Sequence, residues 1–243
     1  MNIAGLTDPG RVRDGNEDAI AFDEKTGFLV VADGVGGHAG GETASAMAVE
    51  AFRLGFRYRT SFEKRDGAEE KEFLRHLIEK ANRAIHARSR EPRYAEMGST
   101  VVALSAARGA VAVAHVGDSR AYRVRKGKIL RLTRDHSMAD AKRGFGLFRR
   151  SEEEVRRDPL RHVVLRALGH EPDVSCDTAV HAARAGDVFL LCTDGLHDMI
   201  GEKDMAWIVS EKGADLPAAA AALVALANRN GGPDNVTVGL ALL

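Results

Sequence analysis

The sequence predicts an α+β protein in which long helices pack outside paired antiparallel sheets. Ten short apolar or β-branched segments have the pattern of strands, and several of them follow one another closely along the chain. Three segments have helical periodicity, two after the first strands and one before the last. Consecutive strands favour antiparallel pairing, and helices set apart from them favour layers packed on the sheets.

The predicted strands run along the whole chain. They lie at 3–6, 19–22, 28–32, 99–106, 111–116, 121–124, 129–132, 175–182, 188–193 and 236–242. The tetrapeptide RKGK at 125–128 separates two of them and has the composition of a hairpin turn.

Helices are predicted at 42–56, 68–88 and 216–227. In the second, Phe73, Leu77, Ala81 and Ile85 recur on one stripe. Asp215 stands at the N-cap position of the third, and Pro217 lies in its first turn. The charged, glycine-containing segment 142–157 breaks the strand pattern, and we expect it to form a surface lobe.

The composition argues against several classes of protein. A length of 243 residues suits one domain, and 35 basic residues balance 35 acidic ones, so no overall field attracts nucleic acid or an anionic membrane. The N-terminus lacks the apolar core of a signal peptide, and the longest apolar run is too short to span a bilayer, so we expect a cytoplasmic protein. Cys176 and Cys192 stand outside any ligand spacing, and we expect them to be packed thiols.

The stretch VVADGVGGHAGGE places one acid, Asp33, after an apolar run and then five glycines among the next eight residues. We expect the strand to end at Asp33, with its carboxylate at a sheet edge. Glycines allow a ligand or another backbone to approach closely. A tight turn into a helix would equally explain a lone Asp-Gly pair.

Four further acids occur beside strand ends or turns, namely Asp18, Asp118, Asp194 and Asp234. Carboxylates gathered at one end of two sheets would repel one another unless a cation neutralised them. Ligation by oxygen alone suits Mg²⁺ or Mn²⁺, and two such ions are a known arrangement for in-line attack on phosphorus. For each acid taken singly, turn formation remains the alternative.

Eight segments together resemble a known family. They are, in order, RDGNED, VADGVGG, GSTVV, VGDSRAY, LTRDHS, PLRHVVLRALG, LCTDGL and GGPDNVT. In that order they are similar to motifs of the metal-dependent protein phosphatases of the PPM (type 2C) family, in its compact bacterial form. The resemblance implies an αββα four-layer sandwich, with two antiparallel sheets flanked by helix pairs. It also implies a single phosphatase domain over 1–243 with a variable flap at about 138–157.

The resemblance assigns metal ligands by position. Asp33 would bridge two metals and the Gly34 carbonyl would bind one of them, while Asp194 and Asp234 would hold the other. Asp18 would bind mainly through water. Asp118 would hold a third, weaker ion. The implied cofactors are therefore two core Mn²⁺ or Mg²⁺ ions and a third weaker one.

Other positions match residues around the metals. Glu17 and Asn235 would orient metal-bound waters, and Arg13 would bind the substrate phosphate through its planar guanidinium. A solvated loop arginine is the alternative for Arg13. Relatives in eukaryotes have histidine after the Asp-Gly pair, where this chain has Val35. The proton donor is therefore open between a metal-bound water and His38, which would contact substrate or pack on the loop.

The implied activity is hydrolysis of phosphoserine and phosphothreonine by a metal-bridging water, without a phosphoenzyme. The implied partners are phosphorylated proteins, a bacterial serine/threonine kinase of the eukaryotic type and its substrates, acted on by a monomer. A pseudophosphatase that binds phosphopeptides is the rival from another class, and loss of a core carboxylate would favour it. A small-metabolite phosphohydrolase is a third possibility, but the chain has no P-loop and no GxGxxG motif.

Overall fold

A computed structural model describes residues 1–36, 38–59, 61–142, 154 and 158–243, with the side chains of His38 and Ala39 outside the described part. The strands are β1 (Asn2–Asp8), β2 (Asp18–Asp23), β3 (Phe28–Val35), β4 (Gly98–Ser99), β5 (Val101–Ala107), β6 (Ala110–Val116), β7 (Arg120–Arg125), β8 (Lys128–Arg131), β9 (Asp177–Ala182), β10 (Val188–Cys192) and β11 (Val236–Leu242). The helices are α1 (His38–Phe56), α2 (Gly67–Ser89), α3 (Met138–Ala141), α4 (Asp194–His197), α5 (Glu202–Lys212) and α6 (Leu216–Arg229).

The strands form two antiparallel sheets. The β1 sheet has the order β1-β11-β10-β7-β8, and the β3 sheet has the order β2-β3-β5-β6-β9 with β4 paired to β3. Apolar side chains of both sheets meet in one core, for example Leu29 and Leu104 from the β3 sheet and Phe189 and Leu191 from the β1 sheet. The two sheets therefore pack face to face.

Helices cover the outer face of each sheet. Phe52 of α1 and Ile78 of α2 are fully buried in the core of the β3 sheet. Met205 of α5 and Leu223 of α6 are fully buried in the core of the β1 sheet. The order helix, sheet, sheet, helix confirms the expected αββα sandwich. Among the described helices, none combines the length and apolar character needed to cross a membrane.

Several local predictions are confirmed. Arg125 pairs with Lys128 across a two-residue turn in which Lys126 and Gly127 both have positive φ, at 50° and 74°, as a type I′ hairpin requires. Asp215 caps α6 by accepting a 3.1 Å hydrogen bond from the Ala218 amide. Cys176 and Cys192 are free and buried.

Three predicted boundaries are wrong. Strand β3 continues past Asp33 to Val35 because Gly34 and Val35 pair with β4. Helix α1 begins at His38, before the predicted 42, and includes Gly40 and Gly41. The predicted strand at 99–106 is two strands separated at residue 100.

Helix α5 was not predicted, although its buried residues, Met205, Ala206, Ile208 and Val209, recur at helical spacing. Of the predicted flap at 138–157, α3 and Lys142 are described, as is Glu154, whereas 143–153 and 155–157 lie outside the described residues.

Candidate active site

The five acids converge at one end of the two sheets. Asp18 and Asp33 are cross-strand partners on β2 and β3. The other three come from separate connections: Asp118 follows β6, Asp194 is the first residue of α4, and Asp234 precedes β11. All except Asp18 line one cleft of about 720 Å³. The fold therefore brings together acids that are far apart in the sequence.

The electrostatics of this cluster favour a bound cation. Burial raises the pKa of Asp33 well above its usual range, and the charges of Asp18, Asp194, Asp118 and Asp234 raise it further. Burial also raises the pKa values of Asp18 and Asp194 to about 7 each. The pKa of Asp118 is raised well above its usual range by burial and by Asp194. A bound cation would offset both the cost of burying these charges and the repulsion between the carboxylates.

Asp18 is held by hydroxyl groups on one side only. Thr237 and Thr193 donate hydrogen bonds of 2.7 and 2.9 Å to its Oδ2 atom. Its Oδ1 atom is buried and has no hydrogen-bond partner among the residues that the structure describes. A buried carboxylate oxygen without a donor, within a cluster of carboxylates, suits a hard divalent cation or a water bound to one.

The backbone of Asp33 is fixed by neighbouring residues. Its amide donates to Thr100 Oγ1 at 3.2 Å, and its carbonyl accepts from the Thr100 amide at 2.8 Å and from Ser99 Oγ at 3.0 Å. These bonds leave the carboxylate as the part of Asp33 that faces the cleft.

Gly34 is required where β3 meets the start of α1. Its amide donates to the Glu17 carbonyl at 3.1 Å, and a Cβ atom at this position would overlap the carbonyl oxygen of Gly41. Close backbone packing is therefore one reason for the glycines after Asp33. Ligation of a metal by the Gly34 carbonyl stays a prediction.

Arg13 lies at the rim of the cleft and is bonded to one of the acids. Its Nη2 atom donates to Asp234 Oδ2 at 2.7 Å, while its side chain stays 56% exposed. The hydrogen bond and charge of Asp234 raise the pKa of the Arg13 guanidinium. Arg13 therefore places a permanent positive charge beside the cluster of acids.

Asn235 holds the loop that carries Arg13. Its Nδ2 atom donates to the carbonyls of Pro9 and Gly15 at 2.9 and 2.8 Å, and its Oδ1 atom accepts from the Glu17 amide at 2.8 Å. The observed role of Asn235 is to anchor this loop. Its orientation of metal-bound waters stays a prediction, as does that of Glu17, which lines the cleft. The side chain of His38 is outside the described residues.

Several residues of the cleft were not predicted from the sequence, among them Arg161, His162 and Asp198. The His162 Nδ1 atom lies 3.5 Å from Asp198 Oδ2. Burial alone would raise the pKa of Asp198, but the hydrogen bond and charge of His197, with Arg161 and His162, lower it to about 2. One atom each of His162, Asp194 and Asp198 lie within 4.8 Å of one another, close enough to share a cation. Asp198 lies one helical turn after Asp194, and that spacing is the signal that could have revealed it.

Comparison with known proteins identifies the family of the chain. The sequence profile described as Protein phosphatase 2C matches residues 11–225. The chain belongs to the protein phosphatase 2C family. The "Serine/threonine phosphatase stp" of Listeria welshimeri is 38% identical, over 98% of this chain and 94% of that protein.

Solved structures of serine/threonine phosphatases have the same fold. The catalytic domain of the serine/threonine protein phosphatase PstP, in complex with two manganese ions, aligns with a TM-score of 0.84 at 32% identity, over 99% of this chain and 97% of that one. Serine/threonine phosphatase Stp1 from Staphylococcus aureus aligns with a TM-score of 0.89 at 30% identity, over 99% and 94%. The predicted family and fold are thereby confirmed.

Proposed function

We propose that this phosphatase 2C protein hydrolyses phosphoserine and phosphothreonine in proteins and depends on divalent cations. The observation that carries the proposal is the convergence of five acids at one end of the two sheets, four of them lining one cleft, with Asp18 Oδ1 buried and without a donor among the described residues. Relatives that cover nearly all of the chain are named serine/threonine phosphatases, which supports the same activity here.

We assign two core Mn²⁺ or Mg²⁺ ions to the cluster. Asp33 would bridge them, the Gly34 carbonyl would complete one site, and Asp194 with Asp234 would form the other. Asp18 would bind through water, held in place by Thr193 and Thr237. When bound, two such ions supply a nucleophilic hydroxide at neutral pH and neutralise charge on the phosphoryl oxygens. The PstP domain with two manganese ions supports this assignment.

The remaining roles belong to side chains around the cluster. Arg13 would leave Asp234 and bind two oxygens of the substrate phosphate, a geometry that suits its planar guanidinium. Asn235 keeps the Arg13 loop in place through its bonds to Pro9 and Gly15. Asp118 would bind a third, weaker cation with Asp194. His38 remains a candidate for substrate contact.

The open cleft favours a phosphoprotein substrate over an enclosed metabolite. Catalysis is favoured over a pseudophosphatase because Asp33, Asp194 and Asp234 all line this cleft. We further propose that the enzyme acts as a single-domain cytoplasmic monomer and opposes a bacterial serine/threonine kinase. The opposing kinase and the monomeric state depend on the family resemblance.

Release of phosphate from a phosphothreonine peptide and from p-nitrophenyl phosphate tests the proposal. We expect turnover with Mn²⁺ or Mg²⁺, no inhibition by okadaic acid, loss of activity in EDTA, and recovery when Mn²⁺ is returned. Turnover that persists in excess EDTA would contradict the two-metal site. Binding of the peptide by the Mn²⁺-loaded protein without any turnover would favour the pseudophosphatase.

A further inference from the structure

The peptide that carries Asp118 is held on both sides by buried histidines. His197 Nε2 lies 3.1 Å from the carbonyl oxygen of Asp118. On the other side, the Gly117 amide donates to His136 Nδ1 at 3.2 Å, and the His136 amide donates to the Gly117 carbonyl at 3.0 Å. His197 and His136 are 4% and 8% exposed, so water competes little for these bonds.

His197 connects the two segments whose aspartates are proposed to share the third cation. It is the last residue of α4, and Asp194 is the first. Because a carbonyl can only accept, His197 must donate from Nε2 to Asp118. This hydrogen bond therefore connects the short helix that carries Asp194 to the turn that carries Asp118.

His136 fixes the opposite side of the same turn. Its Nδ1 atom accepts from Gly117, so the neutral ring carries its proton on Nε2, which faces Asp177 Oδ1 at 3.5 Å. The ring stacks on His115 with centroids 4.7 Å apart. These contacts hold the His136 ring in the orientation in which its Nδ1 atom accepts from the Gly117 amide.

The group formed by His115, His136 and Asp177 is not suited to a metal, although single atoms of the three lie within 4.8 Å of one another. His115 Nε2 is taken by the Arg134 carbonyl at 2.7 Å, and the cationic Arg166 lies 3.3 Å from His136 Nε2. A metal at Nε2 would also require a proton on Nδ1, where Gly117 donates. The role of His136 is therefore in the Asp118 turn.

We propose that His197 and His136 are positioning residues that hold Asp118 against Asp194 and thereby set the affinity of the third cation. The proposal rests on the proposed role of Asp118 as a ligand. Residues that orient metal ligands typically contribute about 10- to 100-fold to metal affinity. Neither histidine needs to touch the ion or the substrate for this effect.

Asparagine and glutamine separate this role from general packing. An Asn side chain places its polar atoms near the Nδ1 position of histidine, and a Gln side chain places them near Nε2. His197→Gln can therefore keep the bond to Asp118, whereas His197→Asn cannot. The pattern reverses at His136, where Asn keeps the bond to Gly117 and Gln loses it. The exposed His76 on α2 provides a surface control as His76→Gln.

Calorimetric titration with Mn²⁺ is the main measurement, together with the Mn²⁺ concentration for half-maximal phosphopeptide hydrolysis and the melting temperature of the metal-free protein. We expect His197→Asn and His136→Gln to weaken the weakest Mn²⁺ site by about tenfold or more. His197→Gln and His136→Asn should recover most of that affinity. If His197→Asn does not fold, the His136 pair makes the same comparison.

Two other outcomes have distinct meanings. If all four variants lower the melting temperature but leave Mn²⁺ binding as in the wild type, the histidines are only structural and the proposal is wrong. Asp118→Asn tests the underlying assignment separately. If it keeps both wild-type activity and the number of bound ions, the third site itself fails, whatever the histidine variants do.

Discussion

Arg13 Nη2 donates a 2.7 Å hydrogen bond to Asp234 Oδ2, so the proposed phosphate-binding residue and a proposed metal ligand are paired with each other. A cation bound at Asp234 would compete with the guanidinium for this carboxylate. Metal binding would therefore free Arg13 to meet the substrate. The pair is exposed enough that this exchange needs no rearrangement of the fold.

Arg13→Ala should raise KM for small phosphate esters about tenfold, because a hydrogen bond to a charged group contributes about 1.5 kcal/mol or more. The fall in kcat should be smaller if Arg13 binds phosphate equally in the ground and transition states. Arg13→Lys should lie between, since it keeps the charge without the planar fork. Steady-state kinetics at saturating Mn²⁺ measure both constants.

Arg11 provides the matched control for Arg13. It is exposed and lies two residues earlier in the same loop, so Arg11→Ala tests for a general effect of removing positive charge. Equal effects of the two substitutions would show that Arg13 acts through the overall field. Kinetic constants unchanged in Arg13→Ala would make it a solvated loop residue.

Asp33→Asn should lower kcat by roughly 100-fold or more, because stabilisation of transition-state charge by metals contributes several kcal/mol. The substitution keeps the shape of the side chain but removes the charge that both core ions would share. Calorimetry should therefore show weaker binding of both ions together. Loss of only one ion, with the other unaffected, would show that Asp33 does not bridge them.

The strands and the acids could be predicted because their signals are local. Each strand has its own run of apolar or β-branched residues, buried throughout in β5 and β10, and each acid lies beside such a run in the sequence. The hairpin at Lys126 and Gly127 is equally local, since two residues determine the turn. The ends of β3 and α1 could not be predicted, because the pairing of β3 with β4 and the close approach of Gly34 to Gly41 arise only in the folded chain.

The supporting residues of the site depend on tertiary contacts. Thr193 and Thr237 look like ordinary strand residues, yet both donate to Asp18. His197 reaches Asp118 across 79 positions of sequence. Helix α5 was missed for another reason: only Met205, Ala206, Ile208 and Val209 are buried, and so short an apolar stripe is a weak signal.

Gly34→Ala should destabilise the protein and reduce its activity. A Cβ atom would overlap the backbone at Gly41, and overpacking of this kind costs about 1–3 kcal/mol. Thermal unfolding should show a lower melting temperature than in Gly15→Ala, where a Cβ atom would meet nothing within 4 Å. Equal melting temperatures for the two variants would show that β3 and α1 can separate freely.

Without metal, the contribution of Asp18 and Asp194 to stability should fall as the pH rises from about 4 to about 7, because the usual aspartate pKa is about 3.9. The buried His136 and His197, whose pKa values burial lowers to about 4, contribute a slope of the opposite sign over the same range. Burial raises the pKa values of Asp18 and Asp194 in the folded protein to about 7. Between these values the folded state binds more protons than the unfolded state, so each step up in pH favours unfolding. Above about pH 7 both states have lost these protons, and this contribution becomes constant.

Divalent cations should reverse the pH dependence that these carboxylates contribute to stability. Mn²⁺ binds the deprotonated carboxylates, so its stabilising effect should grow as the pH rises over the same range. Melting temperatures from pH 4 to pH 8, in EDTA and in excess Mn²⁺, measure both slopes. Asp33→Asn, which removes a neighbouring charge, should make the decline in EDTA shallower. A difference in metal-free stability between the wild type and Asp33→Asn that stays constant from pH 4 to pH 7 would show that these carboxylates are not held close together, and the proposed metal centre would then have to be abandoned.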